Sequence, residues 1–289
     1  MTTTESGRPV EWMIESDSTS ILTRSGWNAK SVAVGSAVTV RANPDKNTQR
    51  HHALLVTMAL PNGTELRPRV NGPDAVAPAK TLAGVWNSLR GFTQRRIGAL
   101  KPTPKGLAAA TSYTEAENPV ARCVPYATPF LTGLPYLNQV EMQKDRILIH
   151  SEFLNVDRTI FMDGRGHPDN WLPTNYGHSI GWWDGDTLVI DTVGFNEDFW
   201  FERRGLPHTE QLHMIERLTR TSKDAMEYRI TIDDPGAYTK PYSGGFDLRF
   251  RGDNELFEYM CQQANYAHEL MVGRDASDKK ISRTSEIVP

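Results

Sequence analysis

Cysteine is scarce in this chain. Its 289 residues contain two, Cys123 and Cys261, which lie far apart and form no Cys-x-x-Cys pattern. Cysteines spaced in this way are most simply free thiols in a reducing compartment, although the spacing leaves a single disulfide bond open. We therefore predict free thiols and a cytoplasmic location.

Long apolar runs and an excess of positive charge are also absent. The longest apolar stretch lies near residues 53–60 and is too short for a membrane span, and the first residues lack the basic and apolar segments of an export signal. The formal net charge is −3, whereas proteins that bind nucleic acids usually present a basic face. We predict neither a membrane nor a nucleic acid as partner and leave a homo-oligomer open.

Cofactor motifs are missing as well. The chain has no Gly-x-Gly-x-x-Gly after a strand, no phosphate loop, no haem attachment motif and no His-Glu-x-x-His. We therefore predict no cofactor and no bound metal. Lyases, isomerases, cyclases, dehydratases and hydrolases remain, because positioned acids and bases suffice for their chemistry.

Short apolar-rich runs that alternate with turn residues predict a mainly β protein. Residues 1–70 predict a small β domain in the form of a partly closed barrel, and residues 71–135 an extended, partly helical connection. From residue 136 to 273, about nine strands joined mostly by short loops favour an antiparallel, lipocalin-like β-barrel that can enclose one small ligand. Residues 274–289 are predicted to be a polar tail.

The stretch from residue 177 to residue 195 predicts a hairpin at the centre of that barrel. Asp184-Gly185 suits a tight turn, and the β-branched run at 187–193 suits the returning strand.

The same stretch contains the pentapeptide Gly-His-Ser-Ile-Gly at 177–181, which matches the Gly-x-Ser-x-Gly signature of serine hydrolases. The nucleophile of those enzymes lies on a sharp turn between a strand and a helix. Here the surrounding sequence predicts a loop, a strand, a turn and a strand. We therefore do not expect Ser179 to act as a nucleophile.

Several motifs in a fixed order carry a resemblance to a known family. They are Asp-Gly-Arg-Gly-His-Pro at 163–168, Gly-His-Ser-Ile-Gly-Trp-Trp-Asp-Gly-Asp-Thr-Leu-Val-Ile-Asp-Thr at 177–192, His-Thr-Glu-Gln-Leu-His-Met-Ile-Glu-Arg at 208–217 and Asp-Asp-Pro at 233–235. On these motifs the region from Val120 to Cys261 resembles a large family of uncharacterised bacterial proteins, many of them exported. The N-terminal part is similar to a second uncharacterised bacterial β domain. Neither resemblance implies a particular activity.

Two carboxylates lie on predicted strand faces that are otherwise apolar. Asp191 and Glu216 each alternate with apolar residues along their strands. If these faces point into the barrel, both acids are buried and suit general acid or base work. The alternative is that each forms a structural ion pair with an arginine such as Arg158 or Arg217.

Four histidines fall within one stretch of chain at the predicted barrel mouth, near Arg165. Imidazoles in such loops can form a proton relay, bind a metal or have structural roles. Residues 213 and 216 would face opposite ways on one strand, so metal-dependent chemistry at residues 208–216 is the weakest alternative. The four are His167, His178, His208 and His213.

Aromatic residues concentrate in the same loops. The loop at residues 196–204 carries a Phe-Trp-Phe run, which predicts either burial against the N-terminal domain or a lid over an apolar ligand. A ring-lined pocket with few polar groups suits a flat aromatic or polycyclic molecule. The residues that we predict to bind it are Tyr176, Trp182, Phe199, Trp200 and Tyr238.

We therefore expect a cofactor-independent lyase or isomerase acting on a bulky aromatic or polycyclic small molecule. An elimination or retro-aldol cleavage of a plant-derived aromatic dimer fits, as does a polyketide cyclisation. A histidine would move the proton, a carboxylate would orient that histidine, and an arginine would stabilise negative charge. The alternative is a non-catalytic barrel that binds such a hydrophobic ligand, and both hypotheses require a hollow interior. The predicted catalytic residues are His178, His208, His213, Asp191, Glu216 and Arg165.

Overall fold

The computed structural model describes residues 1–5, 8–45, 50–68, 81–88, 101–112, 114, 118–201, 206–252 and 254–261. These residues belong to two compact units, one within Met1–Pro73 and one within Asp74–Asn265.

Within the described residues, the N-terminal unit contains a β-hairpin, a small sheet and one short helix. The elements are β1 (Thr2–Glu5), β2 (Arg8–Glu11), β3 (Met13–Glu15), α1 (Thr19–Arg24), β4 (Thr39–Pro44), β5 (His52–Ala59) and β6 (Glu65–Leu66). The hairpin is antiparallel, and the sheet has the order β3-β5-β4 with β6 paired to β5. Strands β3 and β5 are parallel, whereas the other pairs are antiparallel. The sheet packs around a small core of Leu55, Met58 and Leu66.

The described part of the second unit contains nine strands, two short α-helices and two 3-10 turns. The strands are β7 (Gly84–Ser88), β8 (Asn138–Met142), β9 (Arg146–Ser151), β10 (Val156–Phe161), β11 (His178–Asp184), β12 (Thr187–Val193), β13 (His213–Arg220), β14 (Ala225–Asp233) and β15 (Tyr242–Phe250). The helices are α2 (Pro104–Ser112) and α3 (Phe130–Gly133), and the 3-10 turns are Pro119–Arg122 and Phe153–Asn155. The nine strands close into a barrel in the order β10-β11-β12-β13-β14-β15-β7-β8-β9.

The central hairpin forms as its sequence predicts. Strands β11 and β12 pair from His178 opposite Val193 to Asp184 opposite Thr187. The turn between them requires a left-handed residue, which is Gly185 with φ of 60°.

Alternation along each strand separates an inner from an outer barrel face. In β13, Met214, Glu216 and Leu218 are at most 3% exposed. Their neighbours His213 and Arg217 point outward, with side chains 42% and 45% exposed. The inner face is filled with large side chains, among which Trp86, Phe195, Phe199, Phe201 and Tyr228 are at most 1% exposed.

The prediction of a mainly β chain with a small N-terminal β domain and a larger barrel is confirmed. Three details differ from the expectation. Strand β7 lies in the region predicted as a connection, because it fills the gap between β15 and β8. Strands β10 and β11 are parallel rather than antiparallel, since the long connection at 162–177 allows a crossover. Residues 256–260 form no strand, and the predicted tail at 274–289 lies outside the described residues.

The two cysteines form a disulfide bond, with the Cα atoms of Cys123 and Cys261 5.9 Å apart. The prediction of free thiols is therefore wrong. The residues are 138 positions apart in the chain, and only the closure of the barrel brings them together.

The disulfide fixes an extended segment, residues 254–261, against the barrel. The side-chain amide of Asn155 donates a hydrogen bond to the Tyr259 carbonyl oxygen and accepts one from the Tyr259 N–H, both at 2.8 Å. The carboxylate of Glu152 accepts the N–H of Phe257 at 2.9 Å. Segment 254–261 is therefore held at several points along its length.

Within the described residues, no helix has the length and apolar character needed to cross a membrane.

Candidate active site on the outer face of the barrel

Strands β11, β12 and β13 bring the predicted acid–base residues to one patch of the outer barrel face. His178 lies opposite Val193 at the end of β12, and His213 precedes Met214, which pairs with Thr192. In one row across the three strands, Asp191 lies between Ile180 and Ile215. The strand register alone therefore places a carboxylate within reach of imidazoles on a partly apolar surface.

A fourth residue joins this patch from the loop at 162–177. The Oδ1 atom of Asp191 lies 2.8 Å from Nε2 of His213 and 3.3 Å from Nε2 of His167. The Nδ1 atom of His167 lies 2.9 Å from Nδ1 of His178. We call these four residues the histidine–aspartate cluster.

One arrangement of protons satisfies every contact in the histidine–aspartate cluster. His213 and His167 each donate their Nε2–H to Asp191, and His178 donates its Nδ1–H to the free Nδ1 of His167. No described residue forms a hydrogen bond with Nδ1 of His213. That nitrogen belongs to a side chain 42% exposed, so it is a base that an external molecule can reach.

Aromatic rings enclose His178 at the inner end of the cluster. Phe161 stacks on its imidazole at 5.3 Å between ring centroids, and Trp171 contacts it edge-on at 4.8 Å. His178 is 4% exposed. Burial lowers the pKa of His178, and the nearby side chains of His167 and Arg165 lower it further. His178 is therefore neutral at pH 7.

Trp171 reaches His178 because residue 194 has no side chain. Gly194 has φ of 76°, and a Cβ atom there would lie 2.5 Å from Cδ1 of Trp171. The backbone on either side is paired, since the Thr174 N–H donates to the Gly194 carbonyl and the Asn196 N–H donates to the Thr174 carbonyl. These contacts hold the loop that carries His167 over the outer face.

Arg165 lies close to the cluster but is already engaged. Its guanidinium carbon is 4.0 Å from the centre of the Phe161 ring, and the side chain pairs with Asp163. Hydrogen bonds from Arg165 lower the pKa of Asp163 to about 2. The arginine therefore acts on the cluster mainly as a fixed positive charge next to His178.

Glu216, another predicted catalytic residue, lies inside the barrel and apart from the cluster. It pairs with Arg158, whose Nη1 is 3.1 Å from Oε1 of the carboxylate. The hydroxyl of Tyr228 donates to the same oxygen at 2.9 Å, and Thr128 approaches it at 3.1 Å. The structural ion pair with Arg158, one of the two alternatives for Glu216, is the one observed. We call these residues, with Ser179 and Thr192, the interior polar network.

A small cavity lies beside Arg158 and is lined in part by Thr128, Tyr176 and Phe195. It has room for about one water molecule. A bulky aromatic molecule does not fit there, so the expectation of a spacious hollow in this part of the barrel is wrong. Burial raises the pKa of Tyr176, which lines this cavity.

The remaining predicted residues lie at separate places. His208 is buried, stacks on Phe199 at 3.9 Å and approaches the Phe199 carbonyl oxygen with Nε2 at 2.8 Å. Phe199 packs in the barrel core, so it is not part of a lid. Tyr238 is 3% exposed and donates its hydroxyl to the Pro207 carbonyl oxygen. Trp200 is partly buried, and Trp182 is 45% exposed on the outer face.

Ser179 confirms the reading of the Gly-x-Ser-x-Gly motif as part of a strand. Its hydroxyl points into the barrel and accepts hydrogen bonds from Arg158 at 3.1 and 3.2 Å. It lies in β11 and precedes no helix, so the nucleophile geometry of serine hydrolases is absent at this residue.

A model of a family of unknown function (DUF6152) matches residues 1–54. No curated protein matches the chain. The match agrees with the small uncharacterised N-terminal domain expected from the sequence.

The described residues contain no group of three or more histidine, cysteine, aspartate or glutamate side chains arranged to hold a metal ion. His208, His213 and Glu216 lie in the core, on the outer face and inside the barrel, so residues 208–216 do not form one ligand set.

Sequence reasoning missed His167, Phe161 and Trp171 as members of the site. His167 was one of four candidate histidines but was not among the predicted catalytic residues. The motif at 163–168 carried a signal, since its two glycines and proline mark a loop able to fold back over a strand.

The histidines with lowered pKa values predict how stability depends on pH. Burial lowers the pKa of both His178 and His208, so below pH 6.5 the unfolded chain binds more protons than the folded chain. The contribution of these histidines to the free energy of unfolding should thus be fully present above pH 6.5 and decrease as the pH drops toward 5. The decrease is at most about 1.4 kcal/mol per pH unit for each histidine. Urea unfolding at pH 7, 6 and 5 measures it. His178→Gln and His208→Gln should each reduce the slope, and an unchanged slope in both variants would contradict the assignment.

Proposed function

We propose that the chain is a cofactor-independent acid–base enzyme, a lyase or isomerase, which acts on an aromatic or polycyclic small molecule at the histidine–aspartate cluster. The observation that carries this proposal is the 2.8 Å contact between Asp191 and Nε2 of His213, whose side chain is 42% exposed. This is the orientation of a general base whose second nitrogen is held by a carboxylate.

His213 is the proposed catalytic residue, and Asp191 is a positioning residue. In an elimination, Nδ1 of His213 removes a proton from the carbon next to a carbonyl group. The Asp191 carboxylate stabilises the imidazolium that forms, and the imidazolium then returns the proton to the departing hydroxyl group. An isomerisation uses the same first step and returns the proton to a different carbon atom.

His167 and His178 extend the histidine–aspartate cluster away from solvent. The hydrogen bonds from His178 through His167 to Asp191 support a route by which a proton leaves or reaches the carboxylate. Burial and the rings around His178 keep that end of the route neutral at pH 7.

The aromatic nature of the substrate is supported by the surface around the cluster. Trp171 and Trp182 are 39% and 45% exposed, and Ile180 and Ile215 flank Asp191. Large exposed rings next to a polar centre are typical of ligand-binding surfaces. An elimination or a retro-aldol cleavage of an aromatic dimer belongs to this proposal, as does a ring-forming step.

The relatives and the location of the chain also remain predictions. The barrel resembles an uncharacterised bacterial family on the motifs quoted above. The cytoplasmic location was inferred from free thiols, and the disulfide between Cys123 and Cys261 removes that basis because such bonds are typical of oxidising compartments.

Exchange of hydrogen for deuterium tests the proposal without knowledge of the final product. The protein is incubated in heavy water with a panel of aryl ketones and aryl β-hydroxyketones, and loss of the proton signal next to the carbonyl group is followed by NMR. We expect exchange or elimination above the rate in buffer, and a decrease of about 10²- to 10⁴-fold in His213→Gln. Asp191→Asn should also lower the exchange rate.

A matched control exists on the same barrel face. His150 also contacts a carboxylate, that of Asp157, at 2.6 Å on the outer face, but it lies on β9 outside the histidine–aspartate cluster. His150→Gln should therefore leave the exchange rate unchanged. The proposal is wrong if folded His213→Gln exchanges as fast as the unaltered protein, or if no panel member exchanges faster than in buffer.

A further inference from the structure

On the outer face of β11–β13, a second polar residue, Arg217, lies near the histidine–aspartate cluster. The row that follows Asp191 consists of Trp182, Val189 and Arg217 on the three successive strands. Alternate residues on a strand are about 6.7 Å apart and neighbouring strands about 4.8 Å, which places the Cα atoms of Asp191 and Arg217 about 8 Å from each other. A single molecule can therefore contact both rows.

The outer-face side chains around Asp191 in these two rows are apolar, and we call the surface that Ile180, Ile215 and Val189 form the floor. Ile180 and Ile215 are half-buried on either side of Asp191. Val189 is 1% exposed although its position in the alternation places it on the outer face. Arg217 crosses strand β12 to pair with Asp184 on β11. The exposed ring of Trp182 forms the wall at the β11 edge.

Two arginines lie at the far end of this floor. Arg217 lies directly opposite Arg229 on the neighbouring strand, and both are roughly half-exposed. Arg217 pairs with Asp184, and Arg229 pairs with Glu227. Such exposed pairs are weak enough for an incoming carboxylate to replace the acid. Guanidinium groups bind carboxylates through two parallel hydrogen bonds.

We propose that the substrate of the histidine–aspartate cluster is an aromatic carboxylate, whose ring lies on Ile180 and Ile215 against Trp182 and whose carboxylate binds Arg217. This inference rests on the proposed function, because it assigns the reacting carbon atom to His213. The distance between the rows matches a single ring with a short acidic side arm. The ring packs on these apolar side chains, and the acid determines which end of the molecule faces Arg217.

Binding of two compounds of the same shape tests this proposal without any turnover. Isothermal titration with trans-cinnamate and with the neutral cinnamyl alcohol compares an acid and an alcohol on the same ring and chain. We expect cinnamate to bind at least about fivefold more tightly, because only the acid forms a charge-assisted hydrogen bond with Arg217.

Three variants separate the contributions to binding. Arg217→Gln should weaken cinnamate at least about fivefold and leave the alcohol unchanged, whereas Arg217→Lys should restore part of the difference. Trp182→Ala should weaken both compounds, because the ring wall serves both. Arg249→Gln is the control, since Arg249 is also a half-exposed arginine paired with an aspartate, but on β15.

Failure of this inference is distinguishable from failure of the proposed function. Equal affinities for the acid and the alcohol, absence of binding, or an unchanged cinnamate affinity in Arg217→Gln would overturn the assignment of the carboxylate. None of these results depends on the exchange rate of His213→Gln. The converse result is that cinnamate binds through Arg217 while the His213→Gln variant exchanges as fast as the unaltered protein. That result would support the binding surface and contradict the proposed chemistry.

Discussion

Glu216→Ala should lower the free energy of unfolding of the barrel by about 3–5 kcal/mol. The carboxylate is 1% exposed and is the partner of a buried guanidinium, that of Arg158. Removing it leaves a positive charge inside the barrel without its counter-charge, and it also removes the acceptor of the Tyr228 hydroxyl. Urea unfolding followed by circular dichroism measures the loss.

An exposed ion pair on the same barrel is the control for this result. Glu227 pairs with Arg229 on the outer face, where water stabilises either charge alone, so Glu227→Ala should cost less than about 1 kcal/mol. A second variant, Arg158→Met combined with Glu216→Leu, removes both charges and should recover part of the loss. Similar costs for Glu216→Ala and Glu227→Ala would show that burial does not govern the interior pair.

Replacing both cysteines by serine should lower the free energy of unfolding by about 2–5 kcal/mol. The bond between Cys123 and Cys261 closes a loop of 138 residues, which restricts the unfolded chain strongly in the loop-entropy account. The measurement is urea unfolding of the unaltered protein and of the double variant, Cys123→Ser with Cys261→Ser.

A reductant supplies the matched comparison for the disulfide. It should lower the stability of the unaltered protein to that of the double variant and have no effect on the variant itself. The first residues to lose protection from hydrogen exchange should be 254–261, because the disulfide is the covalent attachment of that segment and the remaining contacts, such as those with Asn155 and Glu152, are non-covalent. Equal stability with and without reductant would contradict a disulfide that restricts the unfolded chain.

The two polar centres of the barrel differ in how their hydrogen bonds are completed. The buried carboxylate of Glu216 has Arg158 and Tyr228 around it, which suits a structural role. The histidine–aspartate cluster instead ends at the partly exposed side chain of His213. This difference is the reason that we assign the chemistry to the outer face.

Local sequence determined the strands, their turns and the alternation of their side chains. The β-branched run at 187–193 and Asp184-Gly185 predict the central hairpin, which the structure contains with the same turn. Alternation also predicted that His213 and Glu216 face opposite ways. These features depend on φ and ψ preferences and on neighbours one or two residues away, so they are readable from the chain.

The closure of the barrel, and not the local sequence, determines which face of each strand points inward. Asp191 and Glu216 have equally apolar neighbours in their strands, yet one lies outside and the other inside. Three other contacts likewise join residues far apart in the chain. They are the pairing of β7 with β15, the disulfide bond, and the contact of His167 with Asp191 on β12. Such contacts depend on the packing of the whole barrel, because no local preference of the chain specifies which distant segment fills a given space.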